Sequence, residues 1–402
     1  MCIFCEKAKN ELSGLTPEQK REAEACVQLQ EQRVPATILT GFLGAGKTTF
    51  LNFVLKSLGH GKRIAVVQNE FGSVPIDDQL MLLEKAASET IVMPNGCLCC
   101  RVRGDLVEAL RRLADSPNAG ADRKIDSLLV ECSGLSEVLP VAQTFFADPF
   151  VQAAFRLDSV VCVCDASNFE KLEGGSDGGV GAAGEDVAQL LREQLAISDV
   201  CLLNKCDLID SSQRDQLAQR IRRVNPAARV VPCRQGKVNL GQVLKVNSFS
   251  LDGAISIDAH FLGEDGHGHN GHNGHNGHNG HNGHRSHAHT VMSSLALESA
   301  NGVRRDVLEE WLKTVVERLG KDLIRMKGVL RAANGSLVVQ GVGGHVEINE
   351  VDSLPSPGAT GSTGGTGATS AGATSRLVII GRVSDESLRA ELREGFQTIA
   401  KL

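Results

Sequence analysis

Residues 36–49 read Ala-Thr-Ile-Leu-Thr-Gly-Phe-Leu-Gly-Ala-Gly-Lys-Thr-Thr. The apolar run Thr37 to Leu39 predicts a buried strand. Directly afterwards Phe50, Leu51, Phe53, Val54, Leu55 and Leu58 recur at helical spacing. Between strand and helix, Gly41, Gly46, Lys47 and Thr48 fall into the Gly-x4-Gly-Lys-Thr pattern of a Walker A loop. Glycine lets backbone N–H groups close on a phosphate without a Cβ in the way, and the helix N-terminus adds positive potential. Gly41, Gly44, Ala45, Gly46 and Thr49 are therefore expected to form the cradle. Lys47 is expected to reach the β- and γ-phosphates and Thr48 to hold Mg²⁺.

Downstream of this loop, strand and helix alternate. Arg63–Asn69, Thr90–Met93, Ser127–Glu131, Ser159–Cys164, Val200–Leu203 and Arg229–Pro232 predict strands. Asp105–Leu113, Asp186–Leu195 and Gln213–Val224 predict helices. Continuously apolar strands alternating with helices imply an α/β fold, doubly wound around a mostly parallel sheet. Gly174–Gly184 reads as a Gly-rich loop insertion.

The predicted strand at Val200 is followed by Asn204-Lys-Cys-Asp207. The Asp207 carboxylate can accept two hydrogen bonds from guanine N1–H and its 2-amino group, a pair that adenine does not offer. Asn204 would contact the other edge of the base, and the Lys205 stem would lie across the ring. The combination points to GTP. The alternative is a helix-capping Asp after a strand.

Two acidic stretches follow strands. Glu131-Cys-Ser-Gly134 places a carboxylate where a water-mediated Mg²⁺ contact is expected, with the Gly134 N–H available to the γ-phosphate. Asn69-Glu-Phe-Gly72 opens a loop that reaches Asp77 and can change shape with nucleotide state. Glu70 and Asp77 are candidates for positioning water or metal, or they are solvated loop acids. Lys47, Glu70, Asp77 and Glu131 make up the candidate catalytic set.

Cys97-Leu-Cys99-Cys100 follows the predicted strand at Thr90. Three thiols within four residues suit Zn²⁺ or Cu⁺ and leave a fourth position for water, a carboxylate or a partner's ligand. Such a site is built for exchange; the alternative is a reactive or packed thiol cluster. Cys162, Cys164, Cys201 and Cys206 lie in or beside apolar strands and read as core or near-core thiols. A second metal-prone stretch is His267, His269, His272, His275, His278, His281, His284, His287 and His289, spaced mostly by Asn-Gly. It cannot bury a core and is predicted to be disordered, either a metal buffer or a spacer.

Composition bounds the rest. The 402 residues, 42% hydrophobic, suffice for two or three domains. A net charge of −6, with Lys and Arg spread along the chain, does not point to nucleic acid. No apolar run reaches the ~18 residues that a membrane span needs. The first ten residues lack a signal-peptide core, and Glu6, Glu11 and Glu18 argue against a transit peptide, so a cytoplasmic protein is expected. Twelve cysteines in a chain of this length then suggest metal or redox chemistry where clustered and core filler where scattered.

These readings divide the chain into a polar leader (1–35), a GTPase domain (36–245), a linker with the His stretch (246–290) and a smaller α+β domain (291–402). The leader carries a helix start at Thr16-Pro17 and a Cys2/Cys5 pair with metal-ligand spacing. In the last domain Val303–Leu319 and Asp385–Leu402 predict helices and Gly328–Leu330, Leu337–Val339 and Leu377–Ile380 strands. A Gly/Ser/Thr-rich insertion spans 353–375.

Taken in order, Gly41–Thr49, Asn69–Gly72, Gly96–Cys100, Glu131–Gly134 and Asn204–Asp207 closely resemble the CobW-like family of P-loop GTPase metallochaperones. Arg325–Leu330 and Arg376–Arg382 resemble that family's second domain. Within the family the chain is most similar to the zinc-regulated GTPase metalloprotein activators. The resemblance implies GTP, Mg²⁺ and Zn²⁺ as cofactors or cargo. It also implies a client metalloprotein as partner, methionine aminopeptidase in that subgroup, with neither nucleic acid nor membrane. The Cys-Pro-Glu-Leu-type segment of eukaryotic members is not found here; Cys26-Val-Gln-Leu is at best a remnant. The expected function is GTP-driven transfer of zinc to a client. The alternatives are delivery of cobalt or iron to another enzyme, and metal storage with a vestigial GTPase.

Overall fold

The computed structural model describes residues 33–58, 63–69, 89–93, 100–115, 125–174, 182–244, 292–333, 335–351 and 374–402. In the N-terminal part, β1 (Val34–Thr40) leads through the glycine loop into α1 (Lys47–Leu58). There follow β2 (Ile64–Asn69), β3 (Glu89–Met93), α2 (Cys100–Asp115), β4 (Ser127–Glu131), α3 (Leu139–Ala147) and α4 (Pro149–Ala154). After these come β5 (Phe155–Asp165), α5 (Phe169–Leu172), α6 (Ala182–Ile197), β6 (Val200–Asn204), α7 (Ser211–Val224) and β7 (Arg229–Pro232).

The seven strands form one sheet in the order β3-β2-β4-β1-β5-β6-β7, and every neighbouring pair is parallel. Both faces are covered, which is why the strands are continuously apolar. Ile38, Val130, Val160 and Cys162 pack under α2, α3 and α6, whereas Leu39, Leu129, Val161 and Val163 pack under Phe50, Leu51 and Val54 of α1. Because all strands are parallel, Thr40, Asn69, Met93, Glu131, Asp165, Asn204 and Pro232 all end at one edge. The strand order brings Glu131 and Asp165 to either side of β1.

The C-terminal part contains β8 (Ser293–Ser299), α8 (Arg305–Leu319), β9 (Leu323–Ala332), β10 (Gly335–Val342), β11 (His345–Val351), β12 (Ser375–Gly381) and α9 (Glu386–Ile399). Its strands form an antiparallel sheet in the order β11-β10-β9-β12-β8. Leu308, Leu312 and Val315 of α8 and Leu392 and Phe396 of α9 cover one face. The other face presents Ile324, Val329, Val338, Val378 and Ile380 to the hydrophobic cluster of the first sheet, so the two halves share one core.

A buried charge cluster closes this junction. Asp199, at the start of β6, accepts hydrogen bonds from Arg325 and, at 2.7 Å, from the Lys327 ammonium, both of β9. Its other oxygen accepts the Val160 N–H at 2.9 Å. Burial works to raise the Asp199 carboxyl, but the two cations and the hydrogen bonds outweigh it and hold it below the usual carboxylate range.

Several elements depart from the sequence reading. α3 and α4 were not predicted: their Pro140 and Pro149 look like helix breakers, yet both sit in a first turn, where proline is tolerated. The loop expected to reach Gly184 gives way to α6 at Ala182. β8 and β11 add two strands to the C-terminal sheet. Ser375, expected in the insertion, opens β12, and its hydroxyl donates to the Asn301 carbonyl at 2.6 Å. The last helix ends at Ile399 and is capped by Asp385, which accepts the Leu388 N–H at 2.8 Å. The predicted helix start at Thr16, the Cys2/Cys5 pair, the His stretch and residues 353–373 lie outside the described residues.

Candidate functional site: a nucleotide cradle at the strand edge

The loop from Gly41 to Gly46 leaves β1 between the ends of β4 and β5. Gly41, Gly44 and Gly46 all have positive φ (132°, 74° and 105°), the region that disfavours residues with a Cβ. Gly46 has a second reason to be glycine: a Cβ there would stand 2.4 Å from the Asn204 side-chain nitrogen. That nitrogen donates to the Ala45 carbonyl at 2.9 Å, while the Asn204 side-chain oxygen accepts the Gly236 N–H at 3.0 Å. Asn204 is buried, and its amide ties the glycine loop, through its nitrogen, to the segment after β7, through its oxygen. The Lys47 ammonium curls back over the loop and donates to the carbonyls of Gly41 (2.8 Å) and Phe42 (3.3 Å). In this position it ties the start of the helix to the loop.

On the β4 side, the Thr48 hydroxyl donates to Glu131 Oε1 at 3.4 Å, and Gln68 Nε2 of β2 donates to Glu131 Oε2 at 2.9 Å. A hydroxyl and a carboxylate at the mouth of a phosphate loop are hard oxygen donors, a set that fits Mg²⁺. Gln68 was not singled out from the sequence. Its role depends on β2 lying beside β4.

On the β5 side, Asp165 is 5% exposed and forms a small network. It accepts from the Lys205 ammonium (2.7 Å), the Ser167 N–H (3.0 Å) and hydroxyl (2.7 Å), and the Asn168 amide (2.9 Å). Burial works to raise its carboxyl, but these hydrogen bonds and the Lys205 charge hold it below the usual range. Lys205 has φ +61°, a left-handed conformation uncommon for a residue with a Cβ. Asp165 thus fixes the ammonium end of the residue expected to lie across the base. It too escaped sequence reasoning, although an acid at the end of a strand was signal enough for Glu131.

Asp207 is exposed and lines an open cleft with Pro232, Cys233, Arg234, Gln235 and Lys237. The structure therefore joins Gly41–Thr49, Glu131–Gly134 and Asn204–Asp207 at one edge and adds the 233–237 segment to them.

The remaining candidates are only partly placed. β3 ends at the same edge, and α2 starts at Cys100, whose side chain lies outside the described residues, as do Cys97, Cys99, Glu70 and Asp77. Among the described residues no group of three or more His, Cys, Asp or Glu is placed to hold a metal ion. No described helix is long and apolar enough to cross a membrane. Cys162, Cys164 and Cys201 are buried side by side, with Cys162 and Cys164 sulfurs 3.7 Å apart. Hydrogen bonds with Cys162 and Cys201, together with burial, push the Cys164 thiol well up, so it stays protonated and packs as core.

Comparison with known proteins agrees with this fold. Residues 35–232 match the family model "CobW/HypB/UreG, nucleotide-binding domain", and residues 292–400 match "Cobalamin synthesis protein cobW C-terminal domain". The zinc-regulated GTPase metalloprotein activator 1 of Dictyostelium discoideum is 34% identical over 243 residues, 55% of this chain and 50% of its own length. Zinc chaperone YjiA of Escherichia coli is 34% identical over 221 residues, 54% of this chain and 63% of its own length. These matches thus span between half and under two thirds of the curated relatives. The crystal structure of Zn(II)-bound YjiA GTPase from E. coli superposes with a TM-score of 0.60 at 24% identity, covering 92% of this chain and 99% of that one, and shows the same fold.

Proposed function

The chain belongs to the CobW family, with that family's nucleotide-binding and C-terminal domains in succession, and from this premise we propose a GTPase that moves zinc into a client metalloprotein. The observation that carries the proposal is the Asn204 bridge: one buried amide ties the phosphate loop at Ala45 to the segment that lines the Asp207 cleft. Phosphates and base are thereby read by one rigid unit, with Asp207 supplying the double acceptor that guanine needs. Gly41, Gly44, Ala45, Gly46, Thr49 and Lys47 cradle the phosphates; Lys205 lies across the base, its ammonium held by Asp165. Thr48 and Glu131 would hold Mg²⁺, which when bound neutralises phosphate charge. Gly134 faces the γ-phosphate, and Glu70 and Asp77 position the attacking water.

Zinc is the cargo. Cys97, Cys99 and Cys100 bind it as thiolates and release protons on binding. Thiolate ligation favours zinc over delivery of cobalt or iron. The names of the E. coli and D. discoideum relatives point the same way. The His stretch from His267 to His289 buffers metal. The client is a zinc-dependent enzyme, with methionine aminopeptidase the first to test.

The test is zinc competition titration with GDP, with a non-hydrolysable GTP analogue and without nucleotide. Linkage requires that any factor GTP applies to zinc affinity zinc applies to GTP affinity, typically about 5- to 150-fold. Replacing the three cysteines by Ser should abolish that factor and leave GTP binding intact. Identical zinc affinities in all three nucleotide states would refute a switch-driven chaperone and leave storage as the reading.

A further inference from the structure

Helix α6 touches both the phosphate side of the first sheet and the second sheet. Gln194 is 1% exposed, and its Nε2 donates to the Gly134 carbonyl at 3.2 Å. Among the described residues its Oε1 has no hydrogen-bond partner. Gly134 in turn lies against the phosphate loop, where a Cβ would stand 2.6 Å from the Leu43 nitrogen. The preceding residue, Glu193, accepts from the Arg382 guanidinium at 3.1 Å. Arg382 directly follows β12 and also pairs with Asp322 at 3.5 Å. Two residues past the end of α6 comes Asp199, held by Arg325 and Lys327 of β9.

We propose that Gln194 is a positioning residue that sets the Gly134 peptide for the γ-phosphate and, through α6 and the Glu193–Arg382 pair, reports nucleotide state to the C-terminal sheet. Two peptide planes meet at Gly134. Gln194 grips the carbonyl of the second, so a shift of Gly134 as a whole toward a γ-phosphate pulls on α6. A buried acceptor without a partner is costly, so an arrangement of the loop that offers Oε1 an N–H would be favoured. The amide therefore supports two arrangements of the loop: one that uses its donor alone, and one that uses both its ends. Glu193, one residue earlier on the helix, carries the movement outward to β12. This inference rests on Gly134 serving the γ-phosphate, as proposed above.

The full-length protein is tested with GDP and a non-hydrolysable GTP analogue, reading affinities and amide hydrogen exchange over β9 and β12. In the unmodified chain the analogue should alter exchange around residues 375–382 relative to GDP. Gln194→Ala should lower the ratio of analogue to GDP affinity by about tenfold, the loss expected for one hydrogen bond of the bound state, and erase the exchange difference. Gln194→Met fills the same volume without a donor or acceptor; it should behave like the Ala variant, and rescue by Met would mean that packing alone matters and would overturn the proposal. Arg382→Ala should keep the affinity ratio and turnover while losing the exchange difference. An unchanged ratio in Gln194→Ala beside a clear analogue preference in the unmodified protein would overturn the role of Gln194 alone. Equal affinity of the unmodified protein for analogue and GDP would overturn the γ-phosphate reading of Gly134 as well.

Discussion

Asp165 and Asp199 stand at opposite ends of the same two neighbouring strands, and each accepts a lysine ammonium at 2.7 Å. Their surroundings differ. Asp199 is 1% exposed, faces two cations of another sheet and closes the junction between the halves of the chain. Asp165 has a partner, Lys205, that is one-third exposed, and it sits among residues proposed above to meet the nucleotide. Identical chemistry thus serves as a permanent fastening at the amino edge and as an adjustable support at the carboxyl edge. Burial decides which: an ion pair sealed from water cannot lose one member cheaply, whereas a half-open pair can.

The largest effect that follows is on stability. Asp199→Ala leaves Arg325 and Lys327 buried without their carboxylate and should cost about 3–5 kcal/mol, read by chemical denaturation. Replacing Asp199, Arg325 and Lys327 together by apolar residues of similar volume should recover most of that loss. If the single replacement were neutral, the contrast between the two aspartates would collapse.

Asp207→Asn comes next, acting on affinity alone. It removes the double acceptor and sets an amide donor against guanine's donors, so GTP binding should weaken by about 1–3 kcal/mol in calorimetric titration. Xanthosine triphosphate, whose C2 oxygen accepts a hydrogen bond, should then compete better. Equal binding of ATP and GTP by the unmodified protein would remove the guanine assignment.

Asp165→Asn should be milder. It loosens Lys205 and should lower GTP affinity by about 0.5–1 kcal/mol, with a fall in the denaturation midpoint far smaller than that of Asp199→Ala. A stability loss matching that of Asp199→Ala would place both pairs in one class.

The smallest expected effect is a pH dependence. Both folded carboxyls lie below their unfolded value of about 3.9. Their contribution to stability is therefore complete above about pH 4 and is lost as pH falls below that value through the folded ones. Asp199→Asn should flatten this acid limb more than Asp165→Asn, as measured by denaturation between pH 5 and 3.

What could be read from the sequence followed the range of the interactions. The loop at Gly41–Thr48 is a local pattern between a strand and a helix, and Asn204–Asp207 follows a strand, so both were legible. Asp165, Gln68 and Gln194 were not. Each acts on a residue distant in sequence, and only the strand order β2-β4-β1-β5-β6 and the helix above it bring them together. β11 was readable in principle: His345, Val346, Glu347, Ile348 and Asn349 alternate polar and apolar, and its strand could have been predicted. α3 and α4 were hidden by prolines that sit in the first helical turn, where they are tolerated.

The buried thiols have a consequence for metal handling. Cys132 and Cys233 are both pushed up to about 12, chiefly by burial. At neutral pH both thiols therefore stay protonated, and zinc binds thiolates. Among the described residues six cysteines lie on or beside the parallel sheet, and these two among them are spectators to a thiophilic ion. A chain can in this way be rich in sulfur without its core competing for zinc: the ion is sorted by the acidity of each thiol, not by the number of sulfurs offered.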